Sequence, residues 1–498
     1  MTSTLTITGA SRIVERFDDP ARDRGGALVI GADGRVSFSV ALPRRGVTKP
    51  AQGHEDFRVS GPGASHAPDA PGIPGASHAP DAPGIPEVLD AEGGIVTPGL
   101  INAHHHLLQS GFRTLPGTRG VPMREWLPAM AAAYAAAGID ASLVAATAGV
   151  GLAESLLNGV TTVADHQLNW PDPAASSTPI DDTVTIARAI ADAAAGLGAR
   201  LVFVRGSARD TPEAAATSAE AIARALLPSA SAASPGGVSA DGMLQLAVGP
   251  AGVHSDSEET FRALGDVARR YGLRRRTQAN EQVDTEIALA RYGRRPLDLL
   301  QDWGWLEPDV TIAHLCDVTE PEIARLAAAG VTATHAPGCD VPMGWGIAPV
   351  HRIREQGIAV GLGTSGGGSN DAGHLLADAR LAMQVSGLVG LLDPAAPPAP
   401  ALAARDALSM ATSGGAAGLG REDLGILSPG AAGDACVWDV SGVADAGVAD
   451  PVAGLLWAAP GRRPRHVVVA GRVVVRDYRL VTGDEHALVA ALRTRVGR

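Results

Sequence analysis

Between residues 94 and 371 a short apolar run ends eight times in a cluster of polar side chains, and this recurrence constrains the fold more than any other feature of the chain. The runs are GIVTPGLINAHHH, VTTVADH, ARLVFVRGS, LQLAVGP, LRRRTQANE, VTIAHLC, VTATHAPGCD and IAVGLGTSGGGSND. Ala-rich stretches of helical texture, such as IARAIADAAAGLG and EIARLAAAG, follow several of them. Alternating strand and helix is the pattern of a parallel α/β fold, because parallel strands need a crossover and a helix supplies it. Eight such units predict an α/β chain folded as a (β/α)8 barrel of the TIM type over residues 97–424. Chemistry in that architecture gathers where the strands end, so the polar clusters are the candidate site.

Both ends of the chain are β-rich. LTITGA, ALVIGADG and RVSFSVAL precede the barrel; GDACVWDV and HVVVAGRVVVRDYRLV follow it. Segments 1–96 and 425–498 are therefore expected to pair into a small β-sandwich beside the barrel. The unit GASHAPDAPGIP occupies 63–74 and repeats unchanged at 75–86. Two Pro/Gly/Ala-rich copies hold little to bury and cannot stack as a solenoid. Residues 61–86 thus read as a surface loop, with His66 and His78 solvated.

Composition narrows the partners. A net charge of −12 argues against nucleic acid, which needs a concentrated basic surface. No apolar run reaches the roughly 20 residues of a membrane span, and the N-terminus lacks a signal-peptide core. A cytoplasmic address is expected by default. Cys316, Cys339 and Cys436 form no CxxC pair and read as small buried residues. Lys49 is the single lysine among 41 basic residues, so no lysine of the barrel can form a Schiff base or a metal-bridging carbamate.

His104-His105-His106 closes the first run. In an extended segment alternate side chains share a face, so His104 and His106 can converge on one center while His105 points away. An HxH pair alone is as compatible with a structural role as with a metal; its place at the first strand end favors a site. VTPGLINAHHHLLQ, AESLLNGVTTVADH, TIAHLC, HAPGCDVPMGWGIAPV, SNDAGHLLADARLAM and the tail LGILSPGAAGDACVWDV resemble the amidohydrolase superfamily. Within it, the chain is most similar to the branch of cytosine, guanine and 8-oxoguanine deaminases and triazine hydrolases. The 8-oxoguanine deaminases also carry a triple-histidine strand end followed by a glutamine (Gln109), an Asp-His pair (Asp165-His166) and the SND segment.

The resemblance implies one divalent metal, zinc or iron, that acidifies an attacking water. It assigns His104 and His106 as metal ligands, Glu281 as the proton shuttle and His314 as the group that polarizes substrate. Gln109, Arg113, His166 and Trp345 match positions lining the pocket or its rim. Two positions depart from the family. Gln278 stands where the strand-five histidine ligand belongs, and Ser365 where the strand-eight aspartate belongs. A neutral amide and a neutral hydroxyl bind zinc far more weakly than imidazole or carboxylate, so metal is expected to be weak or absent. Gln278 and Ser365 then become candidate substrate-binding and catalytic residues. His254 stands where relatives have an aromatic residue and joins the candidate substrate contacts. His254 or Asp340 could rebuild a metal site only through several coincidences of geometry, and Asp371 lies six residues beyond Ser365, too far to substitute.

Three functions follow. The first is an enzyme acting on a polar N-heterocycle of purine, pterin or triazine kind, with Glu281 and His314 as acid and base in a non-hydrolytic step such as cyclization, isomerization or elimination. The second is a metal-dependent deaminase with an unusual ligand set. The third is a catalytically silent heterocycle-binding protein. A homodimer or larger homo-oligomer is expected from the resemblance.

Overall fold

The computed structural model describes residues 4–40, 87–172, 174, 176–231, 236–370, 372–392 and 401–497. Lys49, the tandem repeat with His66 and His78, and Asp371 lie outside the described residues. The eight apolar runs become eight strands: Leu100–His106, Val160–Gln167, Arg200–Ser207, Leu244–Pro250, Arg274–Ala279, Val310–His314, Thr332–His335 and Val360–Leu362. Each pairs in parallel with the next. Just past the eighth strand, Ser365 and Gly366 pair in parallel with His105 and His106 and close the circuit. That closure places the end of the eighth strand directly beside the histidines that end the first.

The crossover helices form for local reasons. Glu258–Tyr271 is one example: Ser257 caps it by accepting from Thr260 N, Glu258 and Glu259 face its positive end, and Arg269 and Arg270 its negative end. Phe261, Leu264, Val267 and Ala268 are buried, and Gly272 in the left-handed region stops the helix. The helix Glu320–Ala329 carries a Thr319/Glu322 capping box and ends at Gly330 in the same conformation.

The short helix Gly415–Leu419 seals the base of the barrel. Its Gly418 and Leu419 carbonyls accept from Thr311 Oγ1 (2.7 Å) and Gln245 Nε2 (2.9 Å), side chains near the starts of the sixth and fourth strands. Ala416, Leu419 and Leu424 pack on Ile101, Ala164, Val202, Val204 and Ala247.

The two chain ends pair as anticipated, in one continuous nine-stranded sheet. Ile95–Pro98 is the seam: it runs antiparallel to Ala435–Trp438 and parallel to Leu5–Ile13. Arg200, at the start of the third barrel strand, ties this sheet to the barrel. Its guanidinium grips Asp434 through Nε (3.1 Å) and Nη2 (2.9 Å), with both side chains under 5% exposed. Breaking one side of a buried pair strands the other charge, so Asp434→Asn should lower unfolding free energy by about 3–5 kcal/mol in urea titrations.

Candidate active site

The histidines, Glu281, Gln278 and Ser365 of the candidate site sit at or just past strand ends, and three of those ends carry backbone that only a rigid scaffold maintains. Asn280, His314, Leu315 and Ser365 have φ of 53°, 76°, 58° and 54°. Left-handed geometry is costly for residues with a Cβ and concentrates at functional sites.

The first strand delivers His104 and His106 on one face, their ring centroids 4.9 Å apart and nearly perpendicular. His105 faces the other way, against Thr364 Oγ1 at 2.9 Å. His106 donates through Nδ1 to the His166 carbonyl (2.8 Å), which leaves its Nε2 as a lone pair. His166 in turn donates through Nε2 to the Gly249 carbonyl (2.9 Å). Burial is the main force on all of these rings. It lowers His105 and His166 to about 3 and His106 to about 4, and pushes His104 far below the usual histidine range. All four are neutral at physiological pH. His104 Nε2 is buried with no hydrogen-bond partner among the described residues.

His314 is the opposite case. Burial alone would lower it, but Asp340 and Glu281 outweigh that and raise it. Its Nδ1–H donates to Asp340 Oδ1 at 2.6 Å, and its Nε2–H to Gln278 Oε1 at 3.0 Å. Asp340 is correspondingly held down at about 2: burial opposes ionization, and the His314 imidazolium overcomes it. His335 Nδ1 lies 3.6 Å from its other oxygen. His314 is therefore an imidazolium locked against a carboxylate. Glu281 Oε1 stands 3.6 Å from His314 Nε2, and neither of its oxygens has a hydrogen-bond partner among the described residues. Glu281 is also the N-cap residue of the helix Gln282–Tyr292, yet its side chain caps nothing there. Burial raises its carboxyl above the ordinary value, against the pull of His314 and His254.

Above these groups opens a cavity of about 190 Å³. Its polar wall includes His106, Gln109, Arg209, His254, Gln278 and Ser365; its apolar wall is the face Met123, Trp126, Leu127, Met130 and Tyr134 of the helix Met123–Ala137, with Trp345. Gln109 Oε1 accepts from Gly368 N (3.0 Å), and Ser365 accepts from Ser369 Oγ (3.2 Å). The cavity thus gathers Gln109, His254, Gln278, Trp345 and Ser365 with His106, above the buried His104, Glu281 and His314. Two expected pocket residues stand apart. Arg113 forms a two-point ion pair with Glu154 and faces a separate groove beside the helix Glu485–Val496. His166 packs under His106 with rings stacked at 6.0 Å and does not reach the cavity wall.

Other participants escaped the sequence. Asp284 lies in the first turn of the helix Gln282–Tyr292, where an acidic residue is ordinary, and Tyr134 in the last turns of the helix Met123–Ala137, where a lone polar residue carries no signal. Arg276 is fully buried inside the barrel, its Nη2 donating to the Ala103 carbonyl and its Nη1 to Gly418 O at 3.4 Å. Burial, then the neighboring Arg274, lowers this guanidinium to about 9. Its charge further disfavors a proton on His104 and His166.

These side chains do not fit the zinc or iron that the resemblance implies. At the four positions where the resemblance implies ligands, imidazole lone pairs come from His104 and His106 alone. The next position holds a neutral amide whose oxygen already accepts from His314, and the last a neutral hydroxyl. His314 and Arg276 add positive charge to the same buried volume. Asp340 and His254, the candidates for rebuilding a site, are occupied by His314 and by Asp284. Among the described residues no group of three or more His, Cys, Asp or Glu side chains is placed to hold a metal ion.

The sequence matches the amidohydrolase family over residues 95–474. It is 32% identical to 8-oxoguanine deaminase of Pseudomonas aeruginosa over 413 residues, 81% of this chain and 87% of that protein. It is 30% identical to an isoxanthopterin deaminase from an unknown prokaryote, covering 78% and 82% of the two chains. The solved atrazine chlorohydrolase of Arthrobacter aurescens, complexed with zinc, superposes with a TM-score of 0.79 at 30% identity over 99% of this chain and 100% of that one. The chain belongs to the amidohydrolase family. Its fold is the family barrel, and its relatives are enzymes that hydrolyze small heterocyclic molecules.

Proposed function

We propose that this chain is an enzyme acting on a flat polar N-heterocycle of the purine, pterin or triazine class through proton transfer by Glu281 and His314, with no tightly held metal. The observation that carries this reading is the buried pair itself. A carboxyl raised by burial, with neither oxygen hydrogen-bonded among the described residues, stands 3.6 Å from an imidazolium. A raised carboxyl and a held imidazolium are matched for base and acid work near neutral pH. His314 Nε2–H points at Gln278 Oε1, so a substrate carbonyl that takes this proton displaces the amide. Glu281 removes a proton from a ring N–H or C–H, while His314 donates one to the carbonyl oxygen. The sum is a prototropic shift in which every atom is conserved, and ring closure or elimination uses the same two groups. The lone pair of His104 Nε2 is placed to accept a ring N–H.

Similarity to 8-oxoguanine and isoxanthopterin deaminases favors a second reading, metal-dependent hydrolysis of an exocyclic amine. The two part on one experiment: turnover of aminopurines and pterins by protein purified without added metal, with elemental analysis of the same sample. The first reading expects a product formed without uptake of water, isomeric with substrate for a prototropic shift, with no ammonia, indifference to chelators, and metal below about a tenth of an equivalent. Stoichiometric metal with ammonia release that chelators abolish would overturn it in favor of the second.

A further inference from the structure

The heterocycle reading leaves unexplained why a second imidazolium, besides His314, faces the cavity beside the Arg209 guanidinium. His254 follows the fourth strand and lines the cavity with 11% of its side chain exposed. Its Nδ1 is 3.1 Å from Asp284 Oδ1, a fully buried carboxylate whose other oxygen accepts from Asn280 N at 3.0 Å. The ring folds back over Gly252, where a methyl group would come within 2.7 Å of Nδ1, so glycine is what allows the pair to form.

Burial disfavors the charged ring, but Asp284 reverses this and, with Glu281 and Asp256, raises it to about 9. His254 is therefore charged at neutral pH, and with Nδ1–H held by Asp284 its Nε2–H is the donor left for a ligand. Arg209 lines the same cavity from its exposed rim, and among the described residues no carboxylate lies within ion-pairing distance of its guanidinium. Two carboxylates nearby are already committed: Asp284 to His254, and Asp256 to the Ser207 and Ser255 hydroxyls at 2.6 Å each.

We propose that His254, held by Asp284, and Arg209 form the anion-binding end of this cavity, so that the heterocycle the enzyme acts on carries a carboxylate. This rests on the heterocycle reading above and names its substrate class. One carboxylate oxygen takes Nε2–H of His254 and the other the guanidinium of Arg209, with the ring directed toward Gln278. Two converging N–H donors, His254 already paired with Asp284 and Arg209 without a carboxylate partner among the described residues, suit a planar monoanion, and a charge-assisted hydrogen bond in an enclosed wall outweighs a neutral one.

Binding of two matched pairs tests it by calorimetry at pH 7: pterin-6-carboxylate against pterin, and benzoate against benzamide. Each carboxylate should bind at least about ten-fold more tightly than its neutral partner, the gain of one charge-assisted contact. His254→Gln, which keeps a hydrogen bond for Asp284, should remove most of that advantage. Arg209→Gln, on the exposed rim where folding is not at stake, should remove part of it. If pterin binds and neither carboxylate gains, the anion site is wrong and the heterocycle reading stands. If neither pterin binds and benzoate still exceeds benzamide, the heterocycle reading is wrong and the anion site stands. A carboxylate advantage that survives both substitutions overturns the assignment to these residues.

Discussion

Glu281→Gln is expected to bind the heterocycle within a few-fold of the native affinity and to turn it over about 10²–10⁴-fold more slowly, the usual worth of one positioned proton-transfer group. The substitution keeps the volume of a side chain that no neighbor holds in place, because neither Glu281 oxygen is hydrogen-bonded among the described residues. Removing the carboxylate therefore breaks no hydrogen bond among the described residues; besides the proton-transfer group it takes away one charge at 3.6 Å from His314, whose Nδ1–H Asp340 still holds. The pH profile sharpens the test. Burial raises the Glu281 carboxyl, so the acid limb of kcat/KM in the native chain should lie above the ordinary carboxylate range and vanish in the variant. Binding and turnover lost together would point to a positioning role. Turnover unchanged would remove Glu281 from the mechanism and take the catalytic reading with it.

Asp340→Ala should be the most destabilizing substitution in the site. Asp340 is fully buried and is the counter-ion of an equally buried imidazolium at 2.6 Å. Stranding that charge costs about 3–5 kcal/mol, measurable as a drop in the urea midpoint without a change of slope. His314 then shed its proton in the variant, and its pKa falls toward the low values of His106 and His166, whose rings lack a carboxylate. Asp340→Asn keeps an acceptor for Nδ1–H and should retain more stability while still losing turnover. Native-like turnover in Asp340→Asn would show that the His314 charge is not used.

Much of this was legible before any coordinates. Each of the eight apolar runs is a barrel strand, because period, length and the polar residues at its end are local properties that the sequence carries openly. The family resemblance located His104, His106, Glu281 and His314, and the closed barrel does bring their strand ends to one buried center. Gln278 and Ser365 could be recognized as departures for the same reason: both stand at fixed offsets within motifs. Arg113 and His166 show the limit of that method. Both were assigned to the pocket by motif position, yet Arg113 turns to Glu154 and His166 to the Gly249 carbonyl. Which way a long side chain points depends on partners 41 and 83 residues away.

What the sequence by itself determined is the order of the elements, the closed parallel barrel and the identity of the groups at its mouth. Protonation was left to the tertiary structure. Seven histidines lie in or against the site, His335 among them, and nothing in their local sequence separates His314 and His254 from His104, His105, His106 and His166. Folding does: it sets a buried carboxylate in hydrogen-bond contact with each of the first two, Asp340 and Asp284, and leaves the other four with neutral partners, other rings or the charge of a nearby arginine. In a medium that penalizes every unpaired charge, that one difference decides which rings are cations and which are lone pairs.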